Sequence, residues 1–540
     1  MRYMAVLTTM KIKTTTIVGG GSSGWMAAAA LSKLCPGVNV VLVESPDIAT
    51  VGVGESTLGQ INLFLDYLGL KDEDWMAACN ATYKNSIRFT NFRENDGTSF
   101  QYPFSEGLDL TDKIGGVETH SELATLYPNE YTPDTFARFY ATLHTHIADA
   151  NKQTANDNNF YRHYSFKWDT AYHTDAKLFG EYMRDKVALP NNVKHIKATV
   201  VDQKKDDKGN LESLTLDNGT ILTSDLWLDC TGFSSMLLEQ CMGSEFKSFD
   251  SHLHNDSAWA CRVPYENKDE EMHNYTDCHA LGNGWVWHIP LWNRIGTGYV
   301  YSSKFTTAED AKQEFIEHLK TTGSIERAEN AEMYHVNMRH GRRERAWVKN
   351  VVGIGLSYGF VEPLESTGLL TTHENIVKLV EMLNRRNGFI GRTEIEAFNF
   401  STEIEVLKFR DFISMHYSLS MRTDTPYWKY CTEEHEYEKN YFEEWLPKSQ
   451  QYTNLLGTVT SARKYPDTTF VAALYIAAGM GFRPLSTKEI ILSKPNRLEQ
   501  LEFTKKNFEA YEKYIIEEVN KMPTHYEFLK QRIYNGIDDV

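Results

Sequence analysis

Gly284-Trp285-Val286-Trp287-His288-Ile289-Pro290 sets two indoles two residues apart, so an extended backbone would turn both rings to one face. Such a pair is either core filling in a strand or a wall beside a flat ring system, and the segment alone leaves both open. Phe360-Val361-Glu362-Pro363-Leu364-Glu365-Ser366-Thr367-Gly368 is richer. It lies between a short apolar run and a helical stripe. The amides of Thr367 and Gly368 could cradle a small anion there, with the Glu365 carboxylate beside them. The bland alternative is a capping segment with a solvated glutamate. Lys84, in Thr82-Tyr83-Lys84-Asn85-Ser86, is expected where a helix hands over to a strand at 87–92. By itself a lone lysine reads as a surface charge.

The elements that must hold such groups begin near the N-terminus. A buried strand is expected at 14–18, then Gly19-Gly20-Gly21-Ser22-Ser23-Gly24, an Ala-rich helix at 25–34, and a strand at 38–43 ending in Glu44. Strand, glycine turn, helix, strand and acid in that order make a dinucleotide-binding fingerprint. Gly19 permits the tight turn, Gly21 lets backbone approach a pyrophosphate, and Gly24 lets helix and strand pack. The helix start favours the anion. Glu44 can accept from a ribose hydroxyl, which suits FAD or NAD rather than NADP. Val51-Gly52-Val53-Gly54-Glu55-Ser56-Thr57 reads equally as a mobile loop over a cofactor or as an ordinary strand-to-helix connection.

Further along, strands are expected at 193–202 and 211–216 around a polar turn at 204–210. A hairpin is expected over 214–222 about Asn218-Gly219, and strands at 225–229 and 351–356. A helical stripe through Ile376, Val377, Leu379, Val380, Met382 and Leu383 should start from a Thr371-x-x-Glu374 capping box. The last 140 or so residues read as mostly helical.

The 540 residues carry a net charge of −17, which argues against a nucleic-acid or anionic-membrane binder. Aromatic residues make up 12% of the chain, with 11 Trp and 29 Tyr, enough to line a cavity with rings. The seven Cys are scattered without a CxxC, so reduced thiols in a cytoplasm are expected. No run approaches the roughly 20 apolar residues of a membrane span. Residues 1–10 are too short for a secretory leader and read as a flexible extension or alternative starts at Met4 or Met10. There is no GxxxxGK[ST], HExxH or GxSxG, and His252-x-His254 reads as structural, so no metal is expected. No second GxGxxG with strand context exists, so a nicotinamide domain is not expected in this chain.

Taken together, the segments at 19–24, 52–57, 82–84, Asp229-Cys230-Thr231-Gly232-Phe233, 285–290 and 360–368 resemble the flavin-dependent halogenases, often called tryptophan halogenases. The resemblance runs from about residue 14 to 390. It implies an α/β fold, FAD-binding and Rossmann-like in the manner of flavoprotein monooxygenases, with a mostly helical substrate region. It divides the chain into a core at 11–400, with a substrate-region insertion at about 93–190, and a helical region at 401–540. In the family a separate reductase supplies reduced FAD, halide is oxidised to hypohalous acid, and a lysine delivers the halogen to an electron-rich aromatic ring. Carried over, Lys84 is that lysine and Glu365 the assisting carboxylate. Thr367 and Gly368 bind halide, and Ser366 joins the regions. Trp285, Trp287, Ile289 and Pro290 form the flavin wall. Val53, Glu55, Val200 and Leu356 join Gly19, Gly21, Ser22, Ser23, Gly24 and Glu44 around FAD.

The substrate region departs from the free-tryptophan enzymes. Tyr102 stands where they have a His, Phe104 remains, and Phe470 stands near their usual Trp. Indole-like or phenolic rings are therefore expected to be better substrates than free tryptophan. The rival readings are a related flavin hydroxylase, which needs neither Lys84, Glu365 nor the tryptophan motif, and a non-catalytic FAD-binding protein. A monomer and a homo-oligomer fit equally well.

Overall fold

Thr14–Val18, whose last four residues are buried, lies inside a six-stranded sheet. The strand order is Trp347–Val348, Val351–Gly353, Leu226–Asp229, Thr14–Val18, Asn39–Glu44, Lys194–Lys197. Every pairing is parallel except that of Trp347–Val348 with its neighbour. Parallel strands need helical crossovers, and their apolar runs mark burial on both faces. The first crossover is Ser22–Leu34, where Ala27, Ala28, Ala29 and Ala30 are wholly buried. Small side chains let this helix lie close on the sheet.

In this computed structural model the described residues are 9–47, 54–105, 116–156, 164–434, 469–481 and 491–537, the side chains of 116–118, 434, 469–471 and 474 not being among them. By contacts they form two units, neither following chain order. One takes Met1–Ala81, Thr174–Leu253 and Arg339–Arg410; the other takes Thr82–His173, His254–Met338 and Asp411–Val540. Among the described residues no helix is long and apolar enough to cross a membrane.

The second unit is built on a seven-stranded sheet: Tyr334–Asn337, Ser257–Val263, Ile295–Tyr301, Gly284–Pro290, Tyr275–Ala280, Ser86–Thr90, Ser99–Pro103. Only Tyr275–Ala280 and Ser86–Thr90 pair in parallel. Val286, Tyr299 and Tyr301 pack with Ala311, Phe315 and Leu319 of the helix Ala308–Thr322 in one apolar cluster. With a period of two, Trp285, Trp287 and Ile289 turn to the opposite face.

Several elements differ from the sequence expectation. Residues 193–202 form two strands, Lys194–Lys197 and Val200–Lys205, which belong to different sheets. The expected strand at 351–356 ends at Gly353, because Gly355 at φ +67° turns the chain into a 3-10 turn, Gly355–Ser357. The hairpin is present, with Gly219 at φ +80° in its turn. The long helix starts at Thr367, not at Thr371. The Thr371–Glu374 capping box is therefore absent: Thr371 lies inside the helix, its hydroxyl donating to the Thr367 carbonyl at 3.2 Å.

Candidate active site

The glycine turn is tight at Gly19 and Gly24 and open at Gly21. A Cβ on Gly19 (φ +114°) would lie 2.2 Å from the Cys230 carbonyl oxygen, and one on Gly24 would lie 1.9 Å from the Gly19 carbonyl oxygen. Both positions are closed to any side chain. A Cβ on Gly21 would meet nothing within 4 Å. Gly21 is also the N-cap of Ser22–Leu34 and no side chain caps that helix start. Open space over uncapped amides at a helix N-terminus fits a pyrophosphate. Gly20, not singled out from sequence, is needed for another reason: its Cβ would overlap the Glu44 carboxylate. Glu44 ends its strand and accepts from His195 Nε2 at 2.7 Å. The Ser22 hydroxyl donates to the Ala176 carbonyl at 2.9 Å, and Ser23 Oγ leaves no room for a side chain on Gly355.

Asp229 explains the Asp229-Cys230-Thr231-Gly232-Phe233 segment. Its wholly buried carboxylate accepts from the Thr231 amide and hydroxyl (3.0 and 2.6 Å) and from the amides of Leu237 and Leu238 (2.8 and 2.7 Å). Burial pushes its pKa up against those bonds. Phe233 packs edge-on to Phe360 at 5.4 Å. Leu356 is about a third exposed, Val200 packs against the cluster of Val43, Ala198 and Leu216, and burial pushes Glu55 up to about 7. Val53 lies outside the described residues.

Glu365 closes a short 3-10 turn, Pro363–Glu365, and is 1% exposed. Ser366 then adopts the left-handed conformation (φ 56°, ψ 32°), which costs a non-glycine residue about 1–2 kcal/mol. Strain of this kind persists where the surroundings over-determine it, often at functional sites. The 19-residue helix Thr367–Arg385 begins directly afterwards with no side-chain cap. The buried Thr367 hydroxyl has no hydrogen-bond partner among the described residues, and a Cβ on Gly368 would meet nothing within 4 Å. Uncapped amides, an unused hydroxyl and open space are features that would suit a small anion, next in sequence to a buried carboxylate.

In the second unit Lys84 is not at a helix end. It closes a buried strand, Thr82–Lys84, paired antiparallel with Ala171–Thr174. Its side chain is wholly buried, rare for a lysine, and its Nζ sits 4.9 Å from the centroid of the Phe104 ring. The Thr82 hydroxyl donates to the Pro290 carbonyl at 2.6 Å, tying the lysine strand to the end of the tryptophan strand. His173 bridges Thr82 and Thr276 (3.3 and 2.8 Å), and burial beside the Lys84 charge holds its pKa well below the usual range.

Trp285 and Trp287 share a face, with ring centroids 6.1 Å apart. The indole N–H of the buried Trp285 has no partner among the described residues. Trp287 pairs with Gly298, where a Cβ would stand 2.3 Å from the indole. Gly298 therefore sets where the Trp287 ring lies, a determinant that sequence reading missed. The signal was Gly296-Thr297-Gly298 inside a strand, since glycine there marks a close approach. Tyr102 lies edge-on to Phe104 at 5.7 Å and tilted to Tyr475 at 5.6 Å. The Phe470 side chain lies outside the described residues.

One unit thus carries a tight glycine turn before an uncapped helix start, and a second uncapped helix start next in sequence to a buried carboxylate. The other carries a buried lysine and a paired-indole strand. The pattern of the tryptophan halogenase family matches residues 14–492. Tryptophan 7-halogenase RebH of Lentzea aerocolonigenes is 35% identical over 433 residues, 78% of either chain. The solved structure of VirX1 is 48% identical with a TM-score of 0.87, covering 97% of this chain and 100% of its own. Xcc4156, a flavin-dependent halogenase from Xanthomonas campestris, is 27% identical with a TM-score of 0.80, covering 97% and 99%. The chain belongs to the tryptophan halogenase family, and it is a flavin-dependent enzyme that halogenates an aromatic substrate.

Proposed function

We propose that this enzyme transfers halogen to an indole-like or phenolic ring from the Lys84 side chain. The observation that carries the reading is the complete burial of Lys84 against the Phe104 ring, on a strand tied to Pro290. A buried amine among rings meets an electrophilic halogen without competing water. Glu365, also buried, polarises the oxidant and takes up the proton that the ring loses. Thr367 and Gly368 hold the halide (chloride, bromide or iodide) through helix-start amides and the unused hydroxyl. Ser366 fixes the turn between carboxylate and halide. Trp285, Trp287, Ile289 and Pro290 keep bulky organics away from the oxidising centre while small ions pass.

Gly19, Gly21, Ser22, Ser23, Gly24 and Glu44 hold FAD, with Val53, Glu55, Val200 and Leu356 at its borders; open space at Gly21 over an uncapped helix start fits its pyrophosphate. Reduced FAD bound there supplies, with O2, the two-electron oxidation of halide to hypohalous acid. A separate flavin reductase delivers it, since a second dinucleotide fingerprint is missing from the sequence. Seven buried free thiols suit a reducing cytoplasm.

Tyr102 supports the substrate preference. A free amino acid needs buried partners for its carboxylate and ammonium, whereas Tyr102, Phe104 and Tyr475 offer ring faces and edges. The test is product mass for indole, phenol and tryptophan with a flavin reductase in bromide, followed by kcat/KM for each. Brominated indole or phenol with kcat/KM above that of tryptophan is expected. A hydroxylated product overturns the halogenation reading, and a clear advantage for tryptophan overturns the substrate preference.

A further inference from the structure

Among the described residues the strand Thr82–Lys84 pairs with a strand on one edge: Thr82 faces His173, Tyr83 faces Tyr172 and Lys84 faces Ala171. On the other edge the Tyr83 amide is capped by a side chain from the far end of the sequence. Tyr83 N–H donates to His525 Nε2 at 3.2 Å, and His525 Nδ1–H donates to the Met272 carbonyl at 3.0 Å. Accepting at one nitrogen while donating at the other demands the neutral ring in a single tautomer. Complete burial enforces neutrality, lowering the pKa to about 4.

We propose that His525 is a positioning residue for Lys84: by accepting from the Tyr83 amide at the strand edge away from Ala171–Thr174, it fixes the direction in which the lysine points. The proposal rests on the reading that Lys84 delivers the halogen. Side chains alternate along a strand, so Tyr83 points opposite to Thr82 and Lys84. The Tyr83 ring is wholly buried against Phe166, Tyr172 and Phe528 (5.1, 5.8 and 5.8 Å), and Phe528 belongs to the same helix as His525. That helix, His525–Arg532, is itself pinned. Thr524 and Glu527 form a capping box, the His525 amide donates to the Asn151 carbonyl at 2.9 Å, and the Thr524 hydroxyl donates to Asp269 at 2.5 Å. The result is a clamp: Tyr83 is held on one face by rings and at its amide by His525, and Thr82 is held on the other face by Pro290. Lys84 leaves this clamp with little freedom in its backbone. Such support matters because a displacement of about 1 Å in a reacting group can cost about a hundredfold in rate.

The test compares His525→Phe, which keeps a ring but removes both polar atoms, with His525→Gln, whose amide can both accept and donate. Each variant is loaded with FAD and supplied with a flavin reductase and bromide. Three readouts are taken: FAD affinity, hypobromous acid captured by a β-diketone trap, and bromination of indole. For His525→Phe we expect kcat for bromination to fall about tenfold or more, with KM, FAD affinity and trapped oxidant within about twofold of the parent. His525→Gln should recover most of the loss. Parent-like bromination in His525→Phe overturns the proposal, as does a parallel fall in trapped oxidant, or a His525→Gln variant no better than His525→Phe. If His525→Phe does not fold, His525→Asn replaces it; its shorter amide cannot span both partners, and a parent-like ratio of product to trapped oxidant overturns the proposal. Lys84→Ala run alongside separates the two ideas. Bromination surviving in Lys84→Ala refutes the lysine reading itself, whereas a dead Lys84→Ala beside a parent-like His525→Phe refutes only the clamp.

Discussion

Replacing Gly298 by Ala should displace Trp287. The added Cβ would stand 2.3 Å from both Cη2 and Cζ2 of the indole and 2.6 Å from the Trp259 carbonyl oxygen. Carbon atoms normally rest about 3.5–4.0 Å apart, so the ring must yield by more than 1 Å. The two obstacles differ in kind. The indole end can swing, because Trp287 is only partly buried. The Trp259 carbonyl cannot, because Trp259 pairs with Tyr299 and Ala260 with Gly298 in a continuous ladder. Overpacking of this kind costs about 1–3 kcal/mol. In a chain of this size that is a drop of only a few degrees in Tm. Trp287→Phe removes the outer indole atoms and should relieve the swinging part alone, giving a coupling of about 1 kcal/mol in a double-mutant cycle. The assay is thermal unfolding of the four proteins with tryptophan fluorescence, alongside the yield of aryl bromide per trapped oxidant. A Gly298→Ala enzyme with parent Tm, parent emission and parent yield would refute the close packing of Trp287 on Gly298.

Gly21 and Gly24 should fail in opposite ways. Gly21→Asp has room, so it should fold normally and lose FAD by repelling the pyrophosphate, whereas Gly24→Ala meets backbone 1.9 Å away and should lose stability first; FAD titration with unfolding curves tells them apart, and parent FAD affinity in Gly21→Asp would refute the cradle. Burial lowers His288 to about 4 and His318 and His373 to about 3, so the unfolded chain, with histidines near 6.5, takes up protons the fold excludes. Their contribution is full above about pH 6.5 and is lost as pH falls toward about 4 for His288 and about 3 for His318 and His373, about 1–2 kcal/mol for each between pH 7 and 5. Glu55, raised to about 7, works the other way, so the readout is the difference in pH slope of the urea midpoint between parent and His318→Asn. The variant should have the shallower slope, and equal slopes would refute the assignment.

What the sequence revealed and what it hid divide along a physical line. The first fingerprint was legible because strand, glycine turn, helix and acid follow one another locally, and Gly24 answers to the Gly19 carbonyl five residues before it. The indole pair was legible because a two-residue period survives any tertiary context. The start of the helix at Thr367 was not: a Thr-x-x-Glu pattern competed with a left-handed Ser366, and no sequence rule places a serine at φ 56°. The strand character of Thr82–Lys84 was hidden because its partner, Ala171–Thr174, lies about 90 residues away. Gly20 and His525 were hidden for the same reason, since their partners, the Glu44 carboxylate and the Tyr83 amide, are set by tertiary packing.

In the proposed reaction, halide oxidation and halogen transfer are separate events, and Lys84 performs the second. The direct measurement is product mass from Lys84→Ala and parent enzyme, each loaded with FAD and given a flavin reductase, bromide and indole, with hypobromous acid trapped in parallel. Brominated indole is expected from the parent, none formed on the enzyme by Lys84→Ala, and about equal FAD binding and trapped hypobromous acid from both. Regioselective bromination retained by Lys84→Ala, or loss of oxidant together with product, would contradict the proposal.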